Sequence, residues 1–351
     1  MSVLSEKEKE EIRQALDNCK HPLFFFHDDP DGLASFLLFY RYKKEGKGYA
    51  VKAAPRIKLE FAQKVESYGA DQVFVLDIAM VDQEFIDAVK VPVTWIDHHN
   101  VLEREKVRYY NPRKTIGQNI PTPYMCYEVV RQDLWLATVG CIGDWHMPDF
   151  AEEFRKQYPE LLPEKITTVE EALFASPIAK IVKIFSFNLK GATSEVEKSI
   201  KTLTRIEDIR ELVKEESARA KFVLKKYEKI NSKYEELLAR AKKAVTDDLI
   251  VIFTYEEDKL SLTKDLANEL LYSHPEKIII LGRERMGEIR MSLRAAKYEL
   301  PEALKKSLAG LQGYGGGHEH ACGAAVKKED FEIFVNNLRN ELTKQDYGKS
   351  H

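Results

Sequence analysis

Long apolar runs, paired cysteines and a strong excess of either charge are all missing from this 351-residue sequence. No apolar stretch approaches the roughly 18 residues that a membrane-spanning helix needs, so we expect no membrane span. The four cysteines (Cys19, Cys126, Cys141 and Cys322) stand far apart, which argues against a zinc knuckle and a disulfide scaffold. Their spacing favours a reducing compartment, the cytoplasm. A formal net charge of -3 argues against a broadly basic nucleic-acid coat.

The composition is that of a globular protein, with 44% hydrophobic and 32% charged residues. Residues 2–20 have the pattern of a charged amphipathic helix and lack the apolar core of a signal peptide. The length favours two domains. We predict a first domain over residues 1–204, a long connecting helix over 205–245 and a second domain over 246–351.

Strand-like segments alternate with helical patterns in the first hundred residues, which predicts a parallel sheet with helices on both faces. The predicted strands are Leu23–Phe26, Tyr49–Ala53, Val73–Leu76 and Val91–Ile96, and the predicted helices are Ser35–Lys44, Phe61–Tyr68 and Gln83–Val89. A further helix is predicted from Tyr124 to Val139. Apolar residues at steps near 3.5 then predict one long helix from Ile206 to Ala241.

A second α/β unit is predicted in the last hundred residues. Its expected strands are Leu249–Phe253, Lys277–Leu281, Glu288–Ser292 and Ala321–Val326, followed by a helix over Glu329–Leu342. Arginines cluster on its central hairpin. A glycine run, Gly313-Tyr314-Gly315-Gly316-Gly317-His318, stands just before its last strand.

An acidic turn, His27-Asp28-Asp29-Pro30-Asp31-Gly32, follows the aromatic strand Phe24–Phe26. Two carboxylates about 4 Å apart repel by roughly 4 kcal/mol at an effective dielectric near 20, so crowding Asp29 and Asp31 favours a bound cation. The same residues are also ordinary turn formers, and Asp is a common helix N-cap. This stretch alone leaves the two interpretations open.

Further acids follow other strands. Asp77 ends the third strand and Asp97-His98-His99 the fourth, while Asp144 ends a later helix. Because the carboxyl ends of parallel strands share one edge, these groups can reach the first acidic turn. Carboxylates mixed with imidazole suit Mn²⁺ or Mg²⁺ better than a structural zinc. We therefore predict a metal site, with one carboxylate bridging two cations.

At this point the sequence resembles the DHH–DHHA1 phosphoesterases. The resemblance is carried, in the family's order, by His27-x-Asp29-x-Asp31-Gly32, Asp77, Asp97-His98-His99, Gly143-Asp144 and Gly315-Gly316-Gly317-His318. Within the family the sequence looks most like the archaeal RecJ-like nucleases, including the Hef-associated type, and the nanoRNase-type exonucleases. It departs from some branches by having Phe25 where they have a histidine, and it has no room for the OB-fold of bacterial RecJ.

The resemblance implies a role for each matching residue. His27, Asp29 and Asp77 would hold one metal, and Asp31, Asp77, His98 and Asp144 the other, with two Mn²⁺ expected and Mg²⁺ as the alternative. His99 would contact the scissile phosphate, and Asp97 would orient the histidines. The implied substrate-binding residues are Ser292, Arg294, Gly315, Gly316, Gly317 and His318.

Three functions are compatible with these residues. The leading one is a metal-dependent exonuclease that releases mononucleotides from single-stranded DNA or RNA, with 3′→5′ polarity favoured by analogy. The second is a phosphodiesterase of small nucleotides, such as cyclic dinucleotides, short oligonucleotides or 3′-phosphoadenosine phosphate. The third is a non-catalytic repair or replication scaffold, against which the intact acid set argues. The resemblance leaves open a protein partner such as a repair helicase, and a homo-oligomer.

Overall fold

The computed structural model of the protein describes residues 2–52, 56–256 and 260–348. Its contacts divide the chain into two compact units, Met1–Tyr227 and Glu228–His351. The division falls within one long helix. The boundaries expected at residues 204 and 245 stay predictions. No helix in the described ranges has the length and apolar character that crossing a bilayer requires.

The first unit combines a parallel sheet with many helices. Its strands are β1 (Pro22–His27), β2 (Lys47–Val51), β3 (Arg56–Ile57), β4 (Gln72–Leu76), β5 (Met80–Val81), β6 (Val93–Ile96) and β7 (Arg108–Tyr110). Its helices are α1 (Glu6–Asn18), α2 (Pro30–Lys43), α3 (Ala62–Tyr68), α4 (Gln83–Ala88), α5 (Pro112–Thr115), α6 (Thr122–Val130), α7 (Leu134–Gly143), α8 (Ala151–Gln157), α9 (Val169–Ala175), α10 (Ile178–Asn188), α11 (Thr193–Leu203) and α12 (Ile209–Lys214).

The main sheet of this unit has the order β2-β1-β4-β6-β7, and every neighbouring pair is parallel. The predicted parallel α/β architecture is therefore confirmed. All four predicted strands are present, with ends shifted by at most two residues where they can be compared. Ala53, the predicted end of the second strand, lies outside the described residues. The short strands β3, β5 and β7 were not predicted, because two or three residues carry no readable period.

The aromatic run of β1 is buried on both faces of this sheet. Phe26 stacks on Phe36 of α2, and Phe24 meets the same ring edge to face. Phe25 contacts Phe61 and Phe85 on the opposite face. Alternation along a strand sends successive side chains to opposite faces. Three aromatics in a row are thus explained by helices on both sides, and the run belongs to the core.

Two helix predictions were wrong in extent. The helix expected over Tyr124–Val139 is broken between α6 and α7, where Arg131 and Asp133 adopt left-handed backbone angles. Asp133 also accepts hydrogen bonds from both Nε and Nη2 of Arg41, at 2.8 and 2.9 Å, which holds the break against α2. Local polar residues and one tertiary ion pair override the helical period here.

The long helix predicted from Ile206 to Ala241 is likewise interrupted. α12 ends at Lys214 and is followed by Glu215, whose φ is 58°. A new helix, α13 (Ala218–Lys243, 26 residues), then begins. Ser217 turns its hydroxyl to the N–H of Ala220, which favours a fresh helix start. The hydrophobic stripe continues across the break, which is why periodicity alone did not reveal it.

The second unit is built on a mixed sheet. Its strands are β8 (Ile250–Glu256), β9 (Ile278–Arg285), β10 (Glu288–Ala295), β11 (Gly313–His318) and β12 (Ala321–Lys327), and its helices are α14 (Thr263–Ser273), α15 (Pro301–Ser307) and α16 (Phe331–Gly348). The order is β11-β12-β10-β9-β8, with only the β8–β9 pair parallel. The glycine run, for which the sequence predicted no element, is the edge strand β11.

The two faces of this sheet are covered differently. Side chains such as Ile280, Leu293 and Val326 form a core with Leu304 and Phe334 of α15 and α16. The other face carries α14 over β9 and β10. All six residues of β11 are exposed, so this edge of the sheet is open.

Candidate metal centre

The acidic turn after β1 sits at the carboxyl edge of the first sheet. His27 is the last residue of β1, Asp29 caps α2 by accepting the N–H of Gly32 at 3.1 Å, and Asp31 lies in the first helical turn. A Cβ on Gly32 would lie 2.4 Å from the carbonyl oxygen of His27, so only glycine fits this close turn. Asp29 is thus an N-cap, and its other oxygen lies 2.9 Å from Nδ1 of His27.

Asp77 follows β4 in a left-handed conformation, with φ at 56°. Its N–H donates to the carbonyl of Ile96 on the adjacent strand, and the next carbonyl, that of Ile78, accepts the indole N–H of Trp95. A non-glycine residue in this conformation costs free energy and is held by its surroundings. These two contacts fix the turn, and the Asp77 side chain is buried, with 2% exposed.

The Asp97-His98-His99 segment follows β6, the next strand of the sheet. Nε2 of His98 lies 3.2 Å from Oδ1 of Asp77 and 3.8 Å from Oδ2 of Asp31. Buried Asp97 receives both the ring Nδ1–H of His99, at 2.7 Å, and its backbone N–H, at 3.1 Å. Asp97 therefore fixes the orientation of His99, and His98 is oriented by other residues.

Those other residues lie in the segment after β7, and the sequence did not reveal them. Oδ1 of Asn119 accepts from Nδ1 of His98 at 2.7 Å, and Nε of Arg113 donates to the His98 carbonyl at 2.7 Å. Asn111 donates to the His99 carbonyl at 3.0 Å. The only signal was that this loop is rich in Asn, Gly and Pro.

Asp144 reaches the cluster from the end of α7. Its Oδ2 lies 3.7 Å from Nδ1 of His98. Gly143, which precedes it, packs so closely on the first turn of α2 that a Cβ there would come within 2.7 Å of Pro30 Cβ. This close packing places the end of α7 beside the acidic turn.

The predicted ligands therefore converge at one edge of the first unit. Three groups each have one ligand atom per residue within 4.8 Å of one another: Asp77 with His98 and His99, His27 with Asp29 and Asp77, and Asp31 with His98 and Asp144. Among the described residues, buried Asp31 Oδ1 and Asp77 Oδ2 accept no hydrogen bond. Unsatisfied buried carboxylate oxygens are costly without a cation, so the donor set fits hard divalent ions such as Mn²⁺ or Mg²⁺.

The cluster also shifts proton affinities. Burial alone would lower the pKa of His98, but the nearby carboxylates, Asp77 foremost, raise it to about 10. Burial and then the neighbouring charges of Asp77 and Asp144 raise the pKa of Asp31 well above its usual range. The pKa of His27 is likewise raised well above its ordinary value, against burial, by Asp29 and Asp77. Without a metal ion, the site holds protons that a metal must displace.

The predicted substrate-binding residues lie in the second unit. Ser292 donates to the hydroxyl of Thr263 at 3.0 Å, and Arg294 donates through Nε to Oδ1 of Asn268 at 2.6 Å. Burial lowers the pKa of Arg294. The remaining predicted residues, Gly315, Gly316, Gly317 and His318, are all on the exposed edge strand β11.

The glycines of β11 and β12 serve two different needs. A Cβ on Gly317 would lie 2.4 Å from the carbonyl oxygen of Ala321, and the φ of Gly317 is 153°, so the strand itself requires this glycine. A Cβ on Gly316 would meet nothing within 4 Å, and one on the paired Gly323 would meet only a carbonyl oxygen at 3.9 Å. These two leave a side-chain-free floor where β11 and β12 pair at the open edge of the sheet.

Comparison with known proteins identifies the class of this fold. Residues 249–344 match the DHHA1 domain. RecJ from Thermus thermophilus in complex with Mn²⁺ has a similar structure, with a TM-score of 0.69, 16% identity and coverage of 98% of this chain and 56% of that one. The structure of an exonuclease RecJ bound to manganese has a TM-score of 0.65 and 16% identity, and the match covers 98% of this chain and 96% of that one. A pGpG-specific phosphodiesterase from Vibrio cholerae has a TM-score of 0.50 and 13% identity, and the match covers 93% of this chain and 99% of that one. No curated protein matches the sequence.

These comparisons confirm the fold and support the DHH–DHHA1 superfamily. A parallel-sheet unit is followed by a DHHA1 domain with a mixed sheet, as in the RecJ-like structures. At 13–16% identity the structural similarity shows a shared fold. The chain spans 56% of the length of Thermus RecJ, which is also known in complex with Mg²⁺. The archaeal, nanoRNase-type or Hef-associated branch stays a prediction.

The first prediction concerns Asp77, which belongs to two of the three ligand groups. Asp77→Asn keeps the shape of the side chain but removes the negative charge that the two ligand groups share. The Mn²⁺ affinity should therefore fall by more than about 100-fold. Isothermal titration with Mn²⁺ measures this. Asp149→Asn is the matched control, because Asp149 accepts from the Tyr124 hydroxyl and belongs to none of the ligand groups. Equal, mild losses in both variants would contradict the assignment.

The second prediction concerns protons. Because His98 has a pKa of about 10 without metal, it is protonated at neutral pH, whereas a metal ligand must be neutral. Mn²⁺ affinity should therefore rise from about pH 6 to about pH 8, by roughly tenfold per pH unit for each proton released. Titration in buffers of different ionisation enthalpy counts those protons. The same affinity at both pH values, with no proton release, would rule out His98 as a ligand.

Proposed function

We propose that the protein is a metal-dependent phosphodiesterase that removes mononucleotides from the ends of single-stranded nucleic acid. The observation that carries the proposal is the convergence of carboxylates and imidazoles in which Asp77 and His98 each belong to two ligand groups. Shared ligands of this kind suit a pair of divalent ions that together hold one phosphate.

The proposal assigns the ligands as the resemblance implies. His27, Asp29 and Asp77 would hold one ion, and Asp31, Asp77, His98 and Asp144 would hold the other, so Asp77 would belong to both ligand sets. Bound Mn²⁺ or Mg²⁺ would supply Lewis-acid stabilisation of the phosphate and lower the pKa of water. Asn119 and Arg113 hold His98 in place by its ring and its carbonyl.

His99 takes the role of phosphate contact. Its Nδ1 is engaged by Asp97, which leaves Nε2 as the ring nitrogen available to a substrate. Burial lowers the pKa of His99, but the hydrogen bond and charge of Asp97 outweigh it and raise the pKa above its ordinary value. A charged imidazole donates from both nitrogens, so Nε2–H of His99 can bond a phosphate oxygen whose negative charge grows during attack.

The second unit offers a surface for the rest of the substrate. A cleft of about 380 Å³ is lined by Arg290, Thr263 and Tyr314 above the floor of Gly316 and Gly323. Tyr314 is 64% exposed, and Arg290 is half exposed. An aromatic ring and a guanidinium over bare backbone suit a base and a phosphate of a short strand.

Similarity supports the class of reaction. The RecJ structure bound to manganese is described as an exonuclease, and the Vibrio protein as a pGpG-specific phosphodiesterase. The 3′→5′ polarity, the cytoplasmic location and a helicase partner rest on the sequence alone. Substrate length separates the exonuclease from the small-nucleotide phosphodiesterase.

The third prediction tests that choice. With Mn²⁺, end-labelled DNA and RNA strands from 2 to about 20 nucleotides should all be shortened by single nucleotides, while duplexes resist. Product ladders from strands labelled at either end give the polarity. Asp77→Asn should lack this activity, and Asp149→Asn should retain it. Cleavage confined to dinucleotides would instead establish the small-nucleotide phosphodiesterase, and no cleavage of any diester would overturn both.

The fourth prediction tests the floor of the cleft. Gly323→Val adds a side chain that points into open space, so the thermal midpoint should change little, whereas short oligonucleotides should bind roughly tenfold or more weakly because the new side chain occupies their place. Fluorescence anisotropy of a labelled tetranucleotide measures this. Thr254→Val, at an exposed position of β8, is the control. Unchanged binding in Gly323→Val would remove the cleft from the substrate path.

A further inference from the structure

Trp145 lies two residues beyond the end of α7, in a conformation that usually belongs to glycine. Its N–H donates to the carbonyl of Ile142 at 3.0 Å, the N–H of His146 donates to that of Cys141 at 2.9 Å, and its φ is 59°. This pair of hydrogen bonds is the Schellman ending, whose left-handed residue is most often glycine because a Cβ is strained there. A bulky residue at this position is an outlier that needs an explanation.

Burial does not supply that explanation. Trp145 is 41% exposed, whereas Trp95 and Trp135 are buried to 0% and 3% exposure. The indole lies 5.6 Å from the ring of Phe174 on α9, at an angle of 57°. This tilted contact supports the ring, and 41% of Trp145 remains open to solvent. A large aromatic side chain is thus exposed to solvent, although its backbone conformation costs free energy.

The place of this surface is informative. Trp145 directly follows Asp144, so their Cα atoms are about 3.8 Å apart. Asp144 in turn lies 3.7 Å from His98 in the metal cluster. Trp145 is therefore the immediate chain neighbour of a predicted metal ligand, and it carries an exposed indole. Strained residues with exposed side chains beside a reactive centre are a recognised feature of functional sites.

We infer that Trp145, supported by Phe174, is a stacking platform for the base of the nucleotide whose phosphate lies at the metal cluster. The inference rests on the proposed function and extends it to the base. Stacking on an indole accepts every base, because each has a π face. The enzyme should therefore gain affinity from a base without selecting a sequence.

The experiment compares a nucleotide with its baseless counterpart. Thymidine 5′-monophosphate and 2-deoxyribose 5-phosphate carry the same phosphate, and neither has a diester to hydrolyse. With Mn²⁺ present, the wild-type protein should bind the nucleotide roughly 5- to 150-fold more tightly. Titration calorimetry gives both affinities. Tryptophan fluorescence should fall with the nucleotide only, since Trp145 is the exposed indole of the three.

Variants at Trp145 separate stacking from a structural role. Trp145→Gly suits the left-handed position, so its thermal midpoint should not fall, yet it should bind the two ligands equally and lose the fluorescence response. Trp145→Phe should retain most of the preference. Phe222→Ala, which removes another exposed aromatic (47%) from α13, is the matched control and should behave as wild type.

The contrary outcomes are distinct. If Trp145→Gly lowers the thermal midpoint but keeps the preference for the nucleotide, the indole is structural and the stacking inference is wrong. If the wild type cleaves strands but binds both monophosphates equally, stacking alone is overturned. If it neither binds a phosphate with Mn²⁺ nor cleaves any diester, the proposed function fails and this inference with it.

Discussion

Mutual repulsion of carboxylates is the constraint on which the first unit depends. Asp31, Asp77 and Asp97 are almost completely buried at one sheet edge, and Asp29 and Asp144 stand beside them. Such a cluster is tolerable only if protons or cations neutralise it. The raised pKa values of Asp31, His27 and His98 show that bound protons can neutralise the cluster. Divalent ions would neutralise the same carboxylates in place of those protons, and they would also polarise a bound phosphate.

The fold holds this unfavourable cluster together through close backbone packing. Gly32 lets the acidic turn fold back against the end of β1, and Gly143 lets α7 approach Pro30. The left-handed turn at Asp77 is held by the bond from its N–H to the Ile96 carbonyl and by the bond from the Trp95 indole to the Ile78 carbonyl. Stability from the aromatic core on both faces of the sheet can offset these local costs.

The sequence revealed what depends on period and chain order. Buried strands and the acids that follow them could be placed at one edge because parallel strands share their carboxyl ends. Features set by tertiary contact could not be read in this way. Asn119 meets His98 across 21 residues of chain, and Arg41 holds the break at Asp133 across 92. A glycine run gave no strand signal, and only its pairing with β12 shows that it is one. Nothing local distinguished Trp145 from a core residue.

The most direct measurement of the central claim is anomalous diffraction from crystals of the protein soaked in Mn²⁺. The account predicts two peaks about 3.5–4 Å apart with the Asp77 carboxylate between them, one ion near His27 and Asp29 and the other near Asp31, His98 and Asp144. A single ion, or ions bound away from Asp77 with the buried carboxylates still unligated, would contradict it.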